Sequence, residues 1–183
     1  TEEPYRIMTS RSEYRLLHRQ DNADQRLTHI GAAVGLVPQE RLQQVEEKYA
    51  AVAREIQRLE SNGVPASREL NEMLALREST PVENSARLAD LLRRPQVSYA
   101  DIAPFDPGRP ELPAAVTEEV EIQVKYAGYL ARQEKQVAEF KKEEARLLPA
   151  DLDYEAIAGL RLEARDKLSE IRPMSIGQAS RIS

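Results

Sequence analysis

Arginine residues recur at short, regular intervals near the start of the chain. Arg11, Arg15 and Arg19 follow one another every four residues, and Arg26 comes soon after them. On a helix, residues four apart lie on one face. A guanidinium group binds phosphate through paired hydrogen bonds, so this spacing indicates a surface that could contact phosphate groups. Nearby aspartates leave a second interpretation open, a solvated face of weak ion pairs, and the pattern alone favours it.

Other residues that carry chemistry are sparse. His18 and His29 lie eleven positions apart, with no cysteine or further histidine at the spacing of a metal site. The adjacent pairs Glu46-Glu47 and Glu143-Glu144 fall on predicted helices, where neighbours point apart, so solvated faces are favoured over acid–base pairs. A glycine-rich phosphate loop and a dinucleotide fingerprint are both absent from the sequence. We therefore predict neither a metal site nor a standalone enzyme.

The composition predicts an all-α protein. Of 183 residues, 31% are charged, 5% are aromatic and only 7 are glycine, and long charged side chains with Leu and Ala favour helices. The net charge of −5 argues against a generic nucleic-acid binder, so any RNA contact must come from a local patch. No apolar run approaches the roughly 20 residues of a membrane span, and we expect a cytoplasmic location. The start without Met and the end in IGQASRIS suggest cuts through a longer protein.

Start and stop signals divide the first half into helices. Ser10 and Glu13 form a capping box that predicts a helix over residues 11–19, followed by a short helix toward Gly35. Pro38 is expected to open a long helix to about Ser61. Its apolar residues recur in a heptad seam and are Leu42, Val45, Tyr49, Val52, Ile56 and Leu59. Shorter helices are predicted over residues 67–77 and 84–94.

A proline-rich stretch over residues 95–113 separates the two halves. Proline fixes φ and removes a donor, so this stretch is predicted to be a linker with at most one short helix near Ser98–Ile102. A second long helix, Ala114–Leu147, is expected to pair antiparallel with the first. Short helices at 153–158, 162–171 and 175–182 complete a small bundle. The predicted subdomains are 1–30, which holds the arginine helix, 31–113 and 114–183.

Four blocks of the sequence resemble, in order, the C-terminal helical region of the GidA (MnmG) family. They cover Glu3–Arg6 with TSRSEYRLLHRQDNADQRL (9–27), DLLRRP (90–95), VEIQVKYAGYLARQ (120–133) and PMSIGQASRIS (173–183). The blocks are long and span essentially the whole chain. His18, Gln20 and Ala127 depart from the usual family residues and alter only local charge.

The resemblance implies a function that composition and periodicity do not show. Members of this family are tRNA-modifying flavoproteins that bind FAD, use NADH and act as homodimers. With a GTPase partner, MnmE, they install a carboxymethylaminomethyl-type group on the wobble uridine of certain tRNAs. The flavin domain and catalytic cysteines lie upstream, so residues 1–30 would be the junction from a FAD-binding domain. The C-terminal region is associated with tRNA binding and MnmE docking, without catalysis of its own.

Site residues are carried over block by block. The predicted tRNA contacts are Arg11, Arg15, Arg19, Arg26, Lys125 and Arg132. A second, partner-binding surface is predicted to comprise Tyr126, Tyr129, Gln178, Ser180 and Arg181. The two tyrosines lie on one helix side, able to stack on a base or to pack in the bundle, and packing is slightly favoured. The terminal residues could bind MnmE or RNA, or cap the core.

A purely structural or protein-interaction scaffold without RNA contact is the alternative function. The heptad seam and the negative net charge favour it. Neither function places a cofactor in this chain.

Overall fold

Helices make up almost all regular structure in residues 14–182, the part of the chain that the computed structural model describes. The predicted all-α class is thereby confirmed. In chain order the helices are α1 (Ala23–Ala33), α2 (Gln39–Ser61), α3 (Arg68–Leu76), α4 (Leu88–Leu92), α5 (Ala114–Ala145), α6 (Leu162–Ile171) and α7 (Ile176–Ser180). Among these described residues, no helix combines the length and the apolar character needed to cross a membrane.

α2 forms one wall of the core of the first compact unit, which ends at Leu130. Pro38 immediately precedes this helix and has extended backbone, with a φ of −69° in the range that proline imposes. Val45, Val52 and Leu59 of the predicted seam are buried. Along its backbone α2 lies closest to α1 and α4, so the expected pairing with α5 is confined to side chains in a shared core. From α5 these are Val116, Val120 and Val124.

The proline-rich stretch belongs to this core. Val97, Tyr99 and Ile102 are buried in it, and the stretch contains a 3-10 helix, Ala103–Phe105, rather than a helix at Ser98–Ile102. Burying these three side chains removes apolar surface from water, which stabilises the fold at about 25 cal/mol per Å². The division between the compact units accordingly falls inside α5, between Leu130 and Ala131, and not within the prolines.

A small β-ladder also interrupts the helices. β1 (Gly63–Val64) pairs antiparallel with β2 (Ala86–Arg87), and Gly63 stands opposite Arg87. A Cβ at Gly63 would lie 3.1 Å from the carbonyl oxygen of Ala86, so glycine permits the close approach of the strands. The helix predicted over residues 84–94 is shorter for this reason and begins at Leu88.

The helix predicted over residues 11–19 is wrong for the residues that the structure describes. Residues 14–17 form a turn, and Tyr14 has a φ of 50°. Arg19 Nη1 donates to the carbonyl oxygen of Leu16 at 2.7 Å, and Asn22 Nδ2 donates to that of Leu17 at 3.2 Å. Side-chain donors thus take carbonyl groups that a helix would use. Ser10, Arg11 and Glu13 lie outside the described residues.

The second unit begins at Ala131 and is built from the end of α5 and two short helices. α6 occupies the predicted range 162–171, whereas α7 is shorter than predicted. The helix predicted at 153–158 is wrong, because these residues form turns and bends. Asp153 Oδ1 accepts a hydrogen bond from the Glu155 amide at 2.9 Å, a local turn that competes with helix formation.

Candidate nucleic-acid interface

Arg19 is committed to the structure of its own segment. Its side chain is only 14% exposed, and its Nε and Nη2 contact the Asp21 carboxylate at 2.8–3.1 Å. The guanidinium carbon also lies 5.6 Å from the centre of the Tyr126 ring. These contacts, with the bond to Leu16, leave Arg19 little capacity to bind a phosphate.

Arg26 supports the same segment. Its Nε donates to Asn22 Oδ1 at 2.9 Å, and its Nη2 donates to the carbonyl oxygen of Arg19 at 3.3 Å. Asn22 is itself buried. Arg26 and Asn22 therefore fix the turn that leads into α1.

Arg15 differs from both. Its side chain is exposed, and within residues 14–182 it makes no hydrogen bond or ion pair with another side chain. Arg11, the remaining member of the predicted series, lies outside the described residues. Among the described arginines of the series, Arg15 is the one with a guanidinium available to an external anion.

A cleft opens beside this segment, within the first unit. Its volume is about 450 Å³. We call it the tyrosine cleft, and its lining residues are Leu16, Arg93, Pro95, Lys125, Tyr126 and Tyr129. The rings of Tyr126 and Tyr129 have centroids 6.2 Å apart and planes tilted by 54°. Both side chains are partly exposed, at 39% and 56%. The tyrosines thus line a surface cleft and are not part of the buried core.

The cations of the tyrosine cleft are matched by carboxylates. Lys125 Nζ lies 2.7 Å from Glu121 Oε1 and donates to the carbonyl oxygen of Pro95 at 3.2 Å. Arg93 pairs with Glu60 at 3.1 Å and with Asp90. An incoming anion would compete with these pairs, so the cleft is a better site for a flat, neutral group than for phosphate.

Comparison with known proteins decides the family. Residues 39–134 match the family described as tRNA modifying enzyme MnmG/GidA C-terminal helical domain, and residues 136–183 match the tRNA modifying enzyme MnmG/GidA C-terminal helical bundle. The chain belongs to the MnmG/GidA family. The predicted resemblance is confirmed.

Relatives match along the entire chain. The tRNA uridine 5-carboxymethylaminomethyl modification enzymes MnmG of Caldicellulosiruptor saccharolyticus and Lachnoclostridium phytofermentans are each 50% identical over all 183 residues. The chain spans 29% of the length of either relative. Among solved structures, Aquifex aeolicus GidA in its form II crystal is 36% identical with a TM-score of 0.66, covering 100% of this chain and 28% of that one.

The described residues do not fit the FAD and NADH that the sequence resemblance implies for the full-length protein. A dinucleotide fold needs a parallel sheet with a glycine-rich turn at a helix N-terminus. The ladder found between residues 14 and 182 is antiparallel and has two residues in each strand. In the same residues, no cluster of three or more His, Cys, Asp or Glu could hold a metal ion.

The terminal MnmG/GidA signature caps the second unit. Gln178 Oε1 accepts a hydrogen bond from the Met174 amide at 2.8 Å, and Ser180 Oγ donates to the Gly177 carbonyl oxygen at 2.9 Å. Arg181 pairs with Glu144 and lies 5.0 Å from the centre of the Phe140 ring. Capping, one of the roles open for these residues at the sequence level, thus has contacts to support it.

Arg132 is exposed on α5 and belongs to the second unit, whereas Lys125 belongs to the first. Within the first unit the structure brings together Arg19, Lys125, Tyr126 and Tyr129 of the predicted site. Arg132 and the terminal residues belong to the second unit. Arg93 and Pro95 were missed as cleft residues. Their only signal was membership of the DLLRRP block.

A buried charge network in the first unit was also missed. Glu55 is 3% exposed and accepts hydrogen bonds from Arg58 Nε at 2.8 Å and from the Tyr99 hydroxyl at 2.8 Å. Arg58 also bridges to Asp106. Burial, followed by the hydrogen bond to Glu55, raises the pKa of Tyr99 to about 12, so its hydroxyl stays a donor. A glutamate between Val52 and Leu59 on the seam face was the available signal.

Proposed function

We propose that this chain is the tRNA-binding helical part of an enzyme that modifies the wobble uridine of tRNA. The observation that carries the proposal is 50% identity over all 183 residues to proteins named tRNA uridine 5-carboxymethylaminomethyl modification enzyme MnmG. The chemistry would use FAD and NADH held elsewhere in a homodimeric enzyme. Since tRNA is the substrate class, we expect the enzyme to act in the cytoplasm.

Arg15 is the residue on which we place phosphate binding. It is exposed and uncommitted, whereas Arg19, Arg26 and Lys125 are engaged within the first unit. A net charge of −5 means that attraction to RNA must be local. Arg19 and Arg26 support this role indirectly, because their bonds hold the turn that displays Arg15.

The test is tRNA affinity of the full-length enzyme across a salt series. Arg15→Ala should weaken binding. It should also make the negative slope of log affinity against log salt shallower by about 0.7–0.9, as expected for the loss of one phosphate contact. Arg68→Ala is the matched control, because Arg68 is an exposed cation on α3, paired with Glu72 at 2.7 Å. Unchanged affinity and slope in both Arg15→Ala and Arg15→Glu would remove the phosphate assignment.

We also propose that the second unit binds the GTPase MnmE. A cleft of about 270 Å³ there is lined in part by Ala164, Leu168, Ala179 and Ile182. Ala164→Arg would fill this cleft and should weaken MnmE binding, whereas Asp166→Arg on the exposed side of α6 should not. Equal MnmE affinity for both variants, measured by calorimetry, would refute this placement.

A scaffold without RNA contact is the second candidate function. It is favoured by the internal engagement of Arg19, Arg26 and Lys125, and by exposed apolar side chains at Leu27 and Ile30 of α1. Under this alternative, Arg15→Glu leaves tRNA binding intact while a surface substitution such as Ala164→Arg weakens partner binding. The tRNA affinity of Arg15→Glu separates the candidates, because Ala164→Arg weakens partner binding under both.

A further inference from the structure

We propose that the tyrosine cleft holds one unpaired nucleobase of the bound RNA, an inference that rests on the proposed tRNA binding. The cleft is formed by residues far apart in the chain, with Leu16 and Pro95 beside Tyr126 and Tyr129. Flat aromatic rings and apolar side chains are the surfaces on which single-stranded bases stack.

Both tyrosines of the cleft are solvent-exposed, Tyr126 at 39% and Tyr129 at 56%. Tyr126 and Tyr129 are tilted by 54° with centroids 6.2 Å apart, so they do not cover each other face to face. The Arg19 guanidinium carbon lies 5.6 Å from the centre of the Tyr126 ring and holds it in a cation–π contact. Arg19 is fixed in turn by Asp21, so Tyr126 is positioned before a base arrives.

Charge selects a base over a phosphate in this cleft. Lys125 is paired with Glu121, and Arg93 with Glu60 and Asp90. A phosphate near either cation would also meet the negative charge of the paired carboxylate, whereas a neutral base carries no charge to be repelled. Arg15, next to Leu16 in the chain, is exposed and supplies a phosphate contact close to the cleft.

The base must be unpaired. A base inside a duplex has both faces covered by its neighbours in the stack, whereas loop nucleotides can be splayed out and stacked on aromatic side chains. Stacking tolerates any base because every base has a π-face. The cleft therefore anchors a loop nucleotide without reading its sequence.

The experiment compares two kinds of variant in the full-length enzyme. Tyr126→Leu with Tyr129→Leu keeps apolar bulk and removes the rings, and should weaken tRNA binding about tenfold with an unchanged salt slope. Tyr126→Phe with Tyr129→Phe is the conservative variant that keeps the rings, and it should recover most of the affinity that the leucine variant loses. Circular dichroism melting curves check that both variants fold.

A direct readout uses tRNA with 2-aminopurine at single loop positions. Stacking quenches its fluorescence, so wild type and the Phe variant should quench one position and the Leu variant should not. Full affinity and quenching in the Leu variant would overturn the proposal, while a lowered salt slope in Arg15→Ala would leave the proposed function standing. Loss of MnmE binding alone in the Leu variant would make the cleft a protein contact and also overturn it.

Discussion

Arg15 and Arg19 show how two residues of one type and regular spacing acquire different roles. The four-residue interval predicts a shared face, and a shared face predicts a shared function. In the structure the backbone turns at Tyr14, so the helical premise does not hold. Arg19 folds back on Asp21 and Leu16, and Arg15 remains exposed. Local hydrogen bonds from side chains to backbone carbonyl groups determine this conformation, and the spacing of residues in the sequence does not predict them.

Substitution of Arg19 should therefore loosen its segment. In Arg19→Ala, the amides of Leu17 and His18, which donate to Tyr14 and Arg15 carbonyl oxygens at 2.8 and 3.2 Å, should exchange hydrogen faster than in wild type. Arg15→Ala is the control and should leave both exchange rates unchanged. Equal protection of these amides in the two variants would contradict the structural role of Arg19.

Asp24 links stability to pH at the contact between α1 and α2. Burial opposes ionisation, but hydrogen bonds from Tyr49 at 2.6 Å and Lys48 at 3.0 Å prevail and hold the pKa of Asp24 below its usual 3.8. A lowered pKa stabilises the fold above 3.8, and this contribution is lost as the pH falls through the folded-state pKa. The free energy of unfolding should decline from pH 5 to pH 3, and less steeply in Asp24→Asn. Urea unfolding at each pH gives the slopes, and identical slopes would exclude the linkage.

Removal of one member of the Glu55–Arg58–Asp106 network should destabilise the fold. Glu55 and Asp106 are 3% and 6% exposed, and Arg58 is ion-paired with both. Arg58→Met would remove the ion-pair partner that two buried carboxylates share and should lower the free energy of unfolding by about 3–5 kcal/mol. Arg54→Met, an exposed neighbour on α2, should change it by less than about 0.5 kcal/mol. Denaturant titrations at pH 7 measure both, and similar values would show that the network contributes little.

At the scale of elements, prediction succeeded where apolar burial is periodic. The seam of α2 and the start of α5 follow from spacing and proline signals, because a helix must bury its apolar face. The range of α6, which contains no buried residue, follows from the stop signal at Arg172-Pro173. It failed at 14–19, 86–87 and 153–158, where side-chain bonds or pairing with a distant strand set the backbone. Such contacts depend on three-dimensional proximity and leave no local period.

Two helical glycines offer a matched pair of substitutions. A Cβ at Gly177 would lie 2.7–2.9 Å from the Glu144 side chain, which is held by Ser175 and Arg181 and cannot yield without losing those bonds. Gly177→Ala should therefore destabilise the second unit by about 1–2 kcal/mol. A Cβ at Gly128 meets nothing within 4 Å, so Gly128→Ala should stabilise α5 by about 0.5–1 kcal/mol.

Thermal unfolding followed by circular dichroism measures both glycine variants. Combining Gly177→Ala with Glu144→Ala should cost less than the sum of the two single changes, since removal of Glu144 frees the space. Additive effects, or equal signs for Gly128→Ala and Gly177→Ala, would contradict the packing described for α7.

At the scale of the whole molecule, the candidate site is a product of the fold. Leu16, Pro95 and Tyr126 meet in one cleft although long stretches of chain separate them. The tyrosines could be singled out from the sequence, because their spacing places them on one side of a helix, but their partners and the pairing of Lys125 with Glu121 could not. Charge balance across the cleft is visible only once the segments are assembled.

The pairing of cations with carboxylates near the tyrosine cleft also affects how the chain as a whole contributes to RNA binding. Because carboxylates already neutralise most cations near the cleft, few counterions are released when RNA binds, and the salt dependence arising from this chain should be shallow. In the full-length enzyme, Arg15→Ala should make the negative slope of log affinity against log salt shallower by about 0.7–0.9, whereas Lys125→Met should leave the slope unchanged. Between 50 and 200 mM salt, a slope difference of this size changes the ratio of wild-type to variant affinity about threefold, which filter binding can measure. A comparable loss of slope in Lys125→Met would show that the Lys125–Glu121 pair opens to admit phosphate, and the cleft would then be an anion site.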